Sequence, residues 1–421
     1  MTPSRASLAF RASRTSRAFR TSAASRWTAG WLLAAAWALS FPLFSPLGPH
    51  RLWGGCAAAG YLAAAALAAR RPGAALAAAL TGAVAVPLLW LVLSGQGQSE
   101  VMVIERSGRL LLESGRLYVD HPAGVEEYTP YLPGTALLGI PHAVLGGPLG
   151  DARLWCAAAL FGCVTAGRRL LGAERAGWVP VLLASPVVAL PLTVSGVDLP
   201  LAGLLCLALA AAGAGRPVLA GAALAGACAL KWTALPAVAV AVAFLAVCRG
   251  RGAAVRCALV AVGGSAVLIL PGALLQPAEL WRQVFAFPTG LAEVPTPASS
   301  PLPGHLLAEL APWGWYLTVG LLVVGGLAVA ASLLVRPPRT VVTAADRLAI
   351  GLTLAFALAP AGRFGYLALP VLLCVWARSC AVPGVSRVVA GSRRPGILRP
   401  APPGGGPRAG EPSRPPGAPQ R

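Results

Sequence analysis

Residues 94–151 read SGQGQSEVMVIERSGRLLLESGRLYVDHPAGVEEYTPYLPGTALLGIPHAVLGGPLGD, and this stretch decides how the rest of the chain is interpreted. The sequence around it is strongly apolar. Seven of the fourteen acidic residues nevertheless lie within it: Glu100, Glu105, Glu113, Asp120, Glu126, Glu127 and Asp151. Charged residues concentrated between apolar runs predict a loop outside the membrane, and any chemistry is expected there.

The first half of this stretch has helical periodicity. Apolar residues recur three or four positions apart, at Val101, Ile104, Leu111 and Leu112. Charged residues recur four apart on the other side, at Glu105, Arg109 and Glu113. This pattern predicts a helix lying on the membrane surface with its apolar side down. Three prolines at positions 130, 133 and 141 predict that the second half is broken and partly re-entrant.

The composition predicts an all-α polytopic membrane protein. Hydrophobic residues make up 57% of the chain and charged residues only 11%. Many apolar runs approach the ~20 residues that cross a bilayer as a helix. We expect about twelve transmembrane helices. They lie near 27–48, 52–69, 74–94, 152–167, 177–194, 198–215, 217–231, 233–248, 254–273, 313–335, 347–361 and 364–378.

These runs divide the chain into seven predicted regions. A basic cytoplasmic tail (1–26) precedes three transmembrane helices (27–94) and the extracytoplasmic catalytic loop (95–151). A transmembrane core (152–273), a second extracytoplasmic loop (274–312) and C-terminal transmembrane helices (313–380) follow. Residues 381–421 are rich in proline, glycine and arginine and are expected to be a disordered cytoplasmic tail.

The arginines predict the orientation. With both termini inside, most loop arginines and both basic tails fall on the cytoplasmic side, as the positive-inside rule requires. The chain is therefore expected to be a multi-pass protein of the cell membrane. The net charge of +20 sits mainly at the ends of apolar runs and in the tails, which argues against nucleic acid as a partner.

Cysteine and histidine give no sign of a metal or a disulfide framework. Nearly all nine cysteines lie inside apolar runs, and the four histidines are scattered singly. We therefore expect no cofactor and no metal site built from these residues.

Glu100 is the first candidate for catalysis. It follows the third predicted span and leans toward the apolar side of the surface helix, so an unpaired carboxylate there would keep a raised pKa and act as a base. The structural alternative is that Ser99 caps the helix and Glu100 complements its dipole. Glu105, the second candidate, has Arg109 one turn on, and this pair predicts a solvated face.

Lys231, the only lysine in the chain, stands near the outer end of an apolar run. It is a candidate ligand for a phosphate, or alternatively a side chain that reaches the lipid headgroups. Arg363, between the last two predicted spans, suits bidentate phosphate contact. Asp198 begins a span on the same side, where it is either a site residue or a helix cap before Pro200. Three further residues could line a pocket or belong to the interfacial belt: Tyr128, Tyr131 and His142.

Several segments, in this order, resemble the GT-C superfamily of membrane glycosyltransferases. An acidic residue (Glu100) follows an early span, and YTPYLPGTALLGIPHAVLG then resembles the family's Tyr-Pro-Pro segment. DARLWCAAALFGCVTAGRRLLG is similar to a span ending in Gly-Arg-Arg-Leu, and LAGAALAGACALKWTALP to a Gly-Leu-Ala-x-x-x-Lys stretch. The resemblance is nearest to the actinobacterial family-87 transferases that use polyprenol-phosphate mannose. Here the first-loop acid is Glu rather than Asp, and two extra spans precede it.

This resemblance implies a GT-C-like helical bundle and specific roles for the candidate residues. The partners would be a polyprenyl-phosphate-sugar donor, with mannose as the sugar, a glycan or glycolipid acceptor, and the lipid bilayer. Lys231 and Arg363 would neutralise the leaving lipid phosphate, and Glu100 would take the acceptor's proton, giving inversion. Two other classes remain open: a lipid or glycolipid transporter, which would carry charges near the bilayer midplane, and a membrane scaffold without chemistry.

The predicted orientation can be tested by labelling single cysteines. Gly124→Cys should react with a membrane-impermeant maleimide added outside intact cells, and Gly405→Cys should react only after the cells are lysed. Labelling of both positions from outside would overturn this orientation.

Overall fold

The computed structural model describes residues 5–173 and 179–381, and side chains from residue 25 onward. The predicted disordered tail lies outside the described residues, except for Ala381. The secondary structure of the described part is helical apart from the loops, and its β-structure is limited to one bridge between Ser299 and Gly362. The all-α prediction is confirmed.

The helices follow one another through the whole described chain. In the first part they are α1 Arg5–Phe44, α2 Gly48–Leu67, α3 Pro72–Leu93, α4 Ser99–Ser114, α5 Ala136–Leu145, α6 Ala152–Leu170, α7 Val179–Ala184 and α8 Pro186–Val194. In the second part they are α9 Leu199–Gly213, α10 Pro217–Leu230, α11 Leu235–Arg249, α12 Arg251–Leu275, α13 Pro303–Leu310, α14 Gly314–Val335, α15 Val341–Leu358 and α16 Ala368–Cys380.

Six helices in the described ranges are long and apolar enough to cross a membrane, so the chain is a multi-pass membrane protein. They are Ser25–Phe44, Pro72–Leu93, Trp232–Arg249, Arg251–Leu275, Gly314–Val335 and Val341–Leu358. The other predicted spans correspond to shorter or more polar helices. The span predicted at 177–194 is divided between α7 and α8, because Pro186 starts a new helix after the extended residue Ser185.

The N-terminal helices α1 to α3 pack around a second buried core, to which α7 and α8 also contribute. Gly60 of α2 and Gly82 of α3 pack backbone against backbone, since a Cβ on Gly60 would lie 2.8 Å from the Gly82 Cα. The Trp53 indole donates to the carbonyl of Ala83 at 2.9 Å. The Tyr61 hydroxyl donates to the carbonyl of Ala184 at 2.6 Å and so joins these helices to the rest of the bundle.

Small residues allow the central helices to approach one another closely. A Cβ on Gly203 of α9 would lie 3.0 Å from the Leu160 Cα of α6. A Cβ on Gly221 of α10 would lie 2.7 Å from the Cys257 carbonyl of α12. Dispersion contacts and close backbone approach of this kind are what hold helices together in lipid, where there is little hydrophobic drive between them.

The helix predicted in the first half of residues 94–151 is present as α4, but its buried side differs in detail from the predicted one. Val101 and Ile104 are buried, whereas Leu112 is 52% exposed. The buried side continues instead through Ser107 and Gly108, because α5 crosses α4 at that point. At 10 residues, α5 is too short to span a bilayer alone.

The second predicted loop is tied to the first. The side-chain oxygen of Gln276 accepts from the amides of Leu117 and Tyr118 at 2.8 and 3.1 Å. Gln283 accepts from the Thr129 amide at 3.0 Å and donates to the Val119 carbonyl at 2.7 Å. The buried glutamines therefore satisfy backbone groups of residues 117–129 that have no helical partner.

The α4–α5 crossing can be tested at its glycines. A Cβ on Gly139 would lie 2.0 Å from the Ile104 carbonyl, which is backbone and cannot turn away. We expect Gly139→Ala to cost about 1–3 kcal/mol of stability and to displace α4. Thermal unfolding of the purified protein measures this. Gly263→Ala, a helical position with open space around it, is the control. Equal unfolding temperatures for the two variants would contradict the crossing.

Candidate active site

Glu100 and Glu105 point to different sides of α4. They are five residues apart, which is about 140° around an α-helix. Glu100 reaches toward the loop between α15 and α16, whereas Glu105 reaches toward α5 and the start of α6. The two predicted catalytic carboxylates therefore belong to two neighbouring groups of polar side chains.

The first group is the charged cluster, defined by Glu100, Asp198, Lys231 and Arg363. An Arg363 Nη1 donates to the Glu100 Oε1 at 2.7 Å, and the Lys231 ammonium is paired with the Asp198 carboxylate. All four side chains are at least partly buried, between 17% and 35% exposed. Their charges sum to zero, so each charge is compensated in a region that is short of water.

The end of α10 explains the position of Lys231. The helix stops at Leu230, since Lys231 is extended, and the Leu230 carbonyl accepts from the Leu132 amide and the Thr135 hydroxyl, each at 3.0 Å. Gly134 allows this approach, because a Cβ there would lie 2.8 Å from the Ala229 carbonyl. The segment that begins with Tyr131 is thereby fixed over the end of α10.

Two tyrosines line the cluster. The Lys231 ammonium lies 5.0 Å from the ring centre of Tyr131 and 5.4 Å from that of Tyr366, distances at which a cation is attracted to an aromatic face. Burial, followed by the negative charges of Glu100 and Asp198, raises the pKa of Tyr131 well above its usual value. Its hydroxyl therefore stays protonated and available as a hydrogen-bond donor.

The prediction that Glu100 lacks a partner is wrong, because Arg363, 263 residues away along the chain, closes onto it. The alternative, in which Ser99 caps the helix, is not seen either: Ser99 is the first residue of α4, and its N-cap Gln98 makes no side-chain cap. Asp198 stands at the N-cap of α9 without making a cap hydrogen bond, since its carboxylate faces Lys231.

The second group of polar side chains surrounds Glu105. The prediction that Glu105 pairs with Arg109 on a solvated face is therefore wrong. The Glu105 Oε1 accepts from the Ala152 amide at 3.0 Å, and the Nδ1 of His142 lies 3.3 Å from the same oxygen. The reason is that α5 and the start of α6 cover this side of α4. Burial is the largest influence and raises the pKa of Glu105, while the bond from Ala152 and the nearby His142 oppose that shift.

A buried ion pair closes the second group. Arg153, which is 1% exposed, donates to both carboxylate oxygens of Asp151 at 2.9 and 2.6 Å and to the Thr193 carbonyl at 3.0 Å. A cavity of about 270 Å³ lies beside Glu105, His142, Asp151 and Arg153.

Of the predicted substrate-binding residues, Lys231, Arg363 and Asp198 meet in the charged cluster, and Tyr131 lines it. His142 lies beside Glu105 instead. Tyr128 belongs to neither group, as its ring stacks on Phe287 with 4.2 Å between the ring centres. These placements show that Tyr128 is a packing residue of the loop region.

Sequence reasoning missed other side chains at the site. Tyr366 follows Arg363 by one turn, a spacing that could have signalled a shared face. His50 comes from the extra N-terminal helices and had no local signal; it lies near enough to Arg363 to interact with its charge, and its Nε2 is 2.6 Å from the side-chain nitrogen of Gln98. Asp151 and Arg153, two positions apart at a helix start, could have been recognised as a pair.

No group of three or more His, Cys, Asp or Glu side chains in the described ranges could hold a metal ion. The charged cluster offers different chemistry. Two cations can bind an anion once it displaces their carboxylates, and a carboxylate released in this way can accept a proton.

Comparisons with known proteins bear on this site. A sequence profile described as glycosyltransferase family 87 matches residues 128–383, more than half of the chain. The matched part contains Asp198, Lys231 and Arg363, whereas Glu100 and Glu105 precede it. No curated protein matches.

Among solved structures, the fold is similar to the crystal structure of ArnT from Cupriavidus metallidurans bound to undecaprenyl phosphate. The match has 18% sequence identity and a TM-score of 0.47. It covers 72% of this chain and 59% of ArnT, so the chain corresponds to less than two thirds of that enzyme's length. The family match confirms the resemblance stated from the sequence: this multi-pass membrane protein belongs to glycosyltransferase family 87.

Proposed function

We propose that this glycosyltransferase moves a sugar, mannose, from a polyprenyl-phosphate donor to an extracytoplasmic glycan or lipid acceptor. The observation that carries the proposal is the pairing of the chain's only lysine and Arg363 with two carboxylates in one cluster. The termini are cytoplasmic and the cluster faces the outer side, in agreement with the distribution of arginines in the sequence.

The cations of the cluster suit a phosphate leaving group. Lys231 provides a compact ammonium with three N–H donors, and Arg363 provides a planar fork that matches phosphate oxygens. Both side chains keep some exposure, 17% for Lys231 and 30% for Arg363, so a ligand can reach them. Charge that develops on the phosphate as the sugar leaves is stabilised by these groups, which are already in place.

Donor binding would also prepare the base. Glu100 shares Arg363 with any bound phosphate, and a phosphate that takes the guanidinium frees the carboxylate. The freed Glu100 accepts the proton of the acceptor hydroxyl while the hydroxyl oxygen bonds to C1 of the sugar. The bond from C1 to the phosphate oxygen breaks at the same time, and its electron pair leaves with the lipid phosphate. Attack opposite the leaving group inverts the configuration at C1.

The Glu100→Gln variant separates the role of Glu100 as the base from the role of Arg363 in donor binding. Removing a general base typically lowers the rate by about 10²–10⁴-fold, so we expect transfer to be nearly lost. Binding of the donor should be kept or tightened, because glutamine no longer competes with phosphate for Arg363. The measurements are initial rate and donor affinity. Glu113→Gln, an exposed acid on the same helix, is the matched control and should behave as wild type. Equal losses of rate and affinity in Glu100→Gln would contradict the assignment.

Lys231→Arg tests the phosphate contact. An anchor in the headgroups needs only a long cationic side chain, so arginine would replace it. A lysine whose ammonium lies 5.0 and 5.4 Å from two aromatic ring centres and holds a phosphate next to C1 has little room for a wider group. A displacement of about 1 Å can cost ~10²-fold in rate.

We therefore expect Lys231→Arg to fold and insert normally but to lose most of its turnover, and Lys231→Met to lose donor affinity as well. Rates and affinities are compared at equal yields of purified protein. A near-normal rate for Lys231→Arg would show that the lysine is an anchor.

A further inference from the structure

We propose that the cavity beside Glu105 is a second binding site, which takes the uncharged, hydroxyl-rich headgroup of a lipid, such as a sugar or polyol. The cavity and its contacts stand independently of the charged cluster.

The cavity has the size and position for such a headgroup. Its volume of about 270 Å³ is close to the lower limit of ligand pockets, roughly 300 Å³, which suits a single ring rather than an extended chain. Its lining comes from the end of α3, the glycine-rich turn 95–97, α4, α5, and the segment that leads into the start of α6. It is open on one side, at the end of a helix long enough to span the membrane.

The charges of the lining argue against a phosphate. Glu105 and Asp151 are opposed by Arg153, and Arg153 is already engaged by both oxygens of Asp151. Even with His142 protonated, these four side chains would carry no net positive charge. No cation in the lining is therefore free to neutralise a phosphate, whereas an uncharged ligand needs no opposite charge.

The free hydrogen-bonding atoms suit hydroxyl groups. Within the described residues, the Glu105 Oε2 has no hydrogen-bond partner, and the buried Nδ1 of His142 makes no hydrogen bond despite its 3.3 Å distance from the Glu105 Oε1. A hydroxyl in the cavity can donate to the free carboxylate oxygen, whereas the His142 Nδ1 has almost no accessible surface and faces Glu105. Unsatisfied atoms of this kind gain more from a polar ligand than atoms already paired.

The rim of the cavity is apolar and faces outward. Leu93 and Met102 are 64% and 56% exposed and the exposed Pro148 completes the rim, while the buried Val92 lines the wall beneath it. An alkyl chain could lie on these side chains where α3 ends, while its headgroup enters toward Glu105. This arrangement favours a lipid-linked ligand over a free sugar, because a free sugar would leave the rim exposed to water.

The cavity adjoins the charged cluster. Arg153, in the cavity wall, packs under Gly196, where a Cβ would lie 3.4 Å from the Arg153 Cα. Gly196 has φ of +72° and starts the turn that leads to Asp198. A headgroup in the cavity would therefore lie one backbone segment away from the residues proposed to hold the donor phosphate.

Chemical labelling of Glu105 tests the site directly. The full-length protein in phosphatidylcholine nanodiscs is treated with a water-soluble carbodiimide and glycine ethyl ester, and the modified carboxyls are quantified by mass spectrometry. The probes are octyl mannoside and octyl phosphocholine below their micellar concentrations. Octyl mannoside should reduce the labelling of Glu105 several-fold, while octyl phosphocholine should not. Glu113, exposed on the same helix, should be labelled equally in every sample.

A bulky substitution at the rim of the cavity provides the second test of the site. Met102→Trp should abolish the protection by octyl mannoside, and Leu112→Trp, a substitution at a similarly exposed position of α4, should leave it unchanged. Protection by both probes, by neither, or in Met102→Trp would overturn the proposal.

Labelling of the Lys231→Met variant distinguishes failure of the proposed cavity site from failure of the proposed transferase mechanism. Protection of Glu105 that persists in a variant unable to bind a lipid phosphate supports the cavity independently. Loss of protection in wild-type protein that still binds a lipid phosphate through Lys231 would refute the cavity alone.

Discussion

The compensation of charge at one end of the helical bundle is the constraint on which the rest of the structure depends. Glu100, Asp198, Lys231 and Arg363 come from four separate parts of the chain, and each is partly removed from water. A charge in such a place is tolerated only when an opposite charge lies against it. The helix ends that carry these residues must therefore meet, and this requirement fixes α4, α9, α10 and the α15–α16 loop relative to one another.

Close backbone contacts make that meeting possible. Gly108 and Gly139 allow α4 to lie on α5, and Gly134 allows the Tyr131 segment to sit on the end of α10. A Cβ at any of these glycines would clash with backbone atoms of the facing element and push the two elements apart. The apolar contacts determine how near the helices come, and the ion pairs determine which ends come together.

The different roles of the apolar contacts and the ion pairs explain how much could be predicted from the sequence. Rare charges in apolar surroundings are costly, so Glu100, Lys231 and Arg363 stood out individually, and the helical character of the bundle followed from hydropathy alone. Their partners could not be predicted, because the Glu100–Arg363 pair joins residues 263 positions apart. Glu105 was wrongly assigned to a solvated face because the elements that cover it are also distant from it in the sequence. Periodicity shows which residues share a side of α4, but it does not show that α5 and α6 cover that side.

The second loop, residues 274–312, connects both sides of the charged cluster. Gln276 holds the backbone of Tyr118, whose hydroxyl donates to the Tyr131 carbonyl at 3.0 Å. Farther along the same loop, the amide of Ser300 donates to the Gly362 carbonyl at 3.0 Å, next to Arg363. One loop therefore positions an aromatic wall and a cation of the cluster, although it contributes neither. A change in this loop would shift Tyr131 and Arg363 together, so the geometry of the site depends on residues that make no contact with the charges themselves.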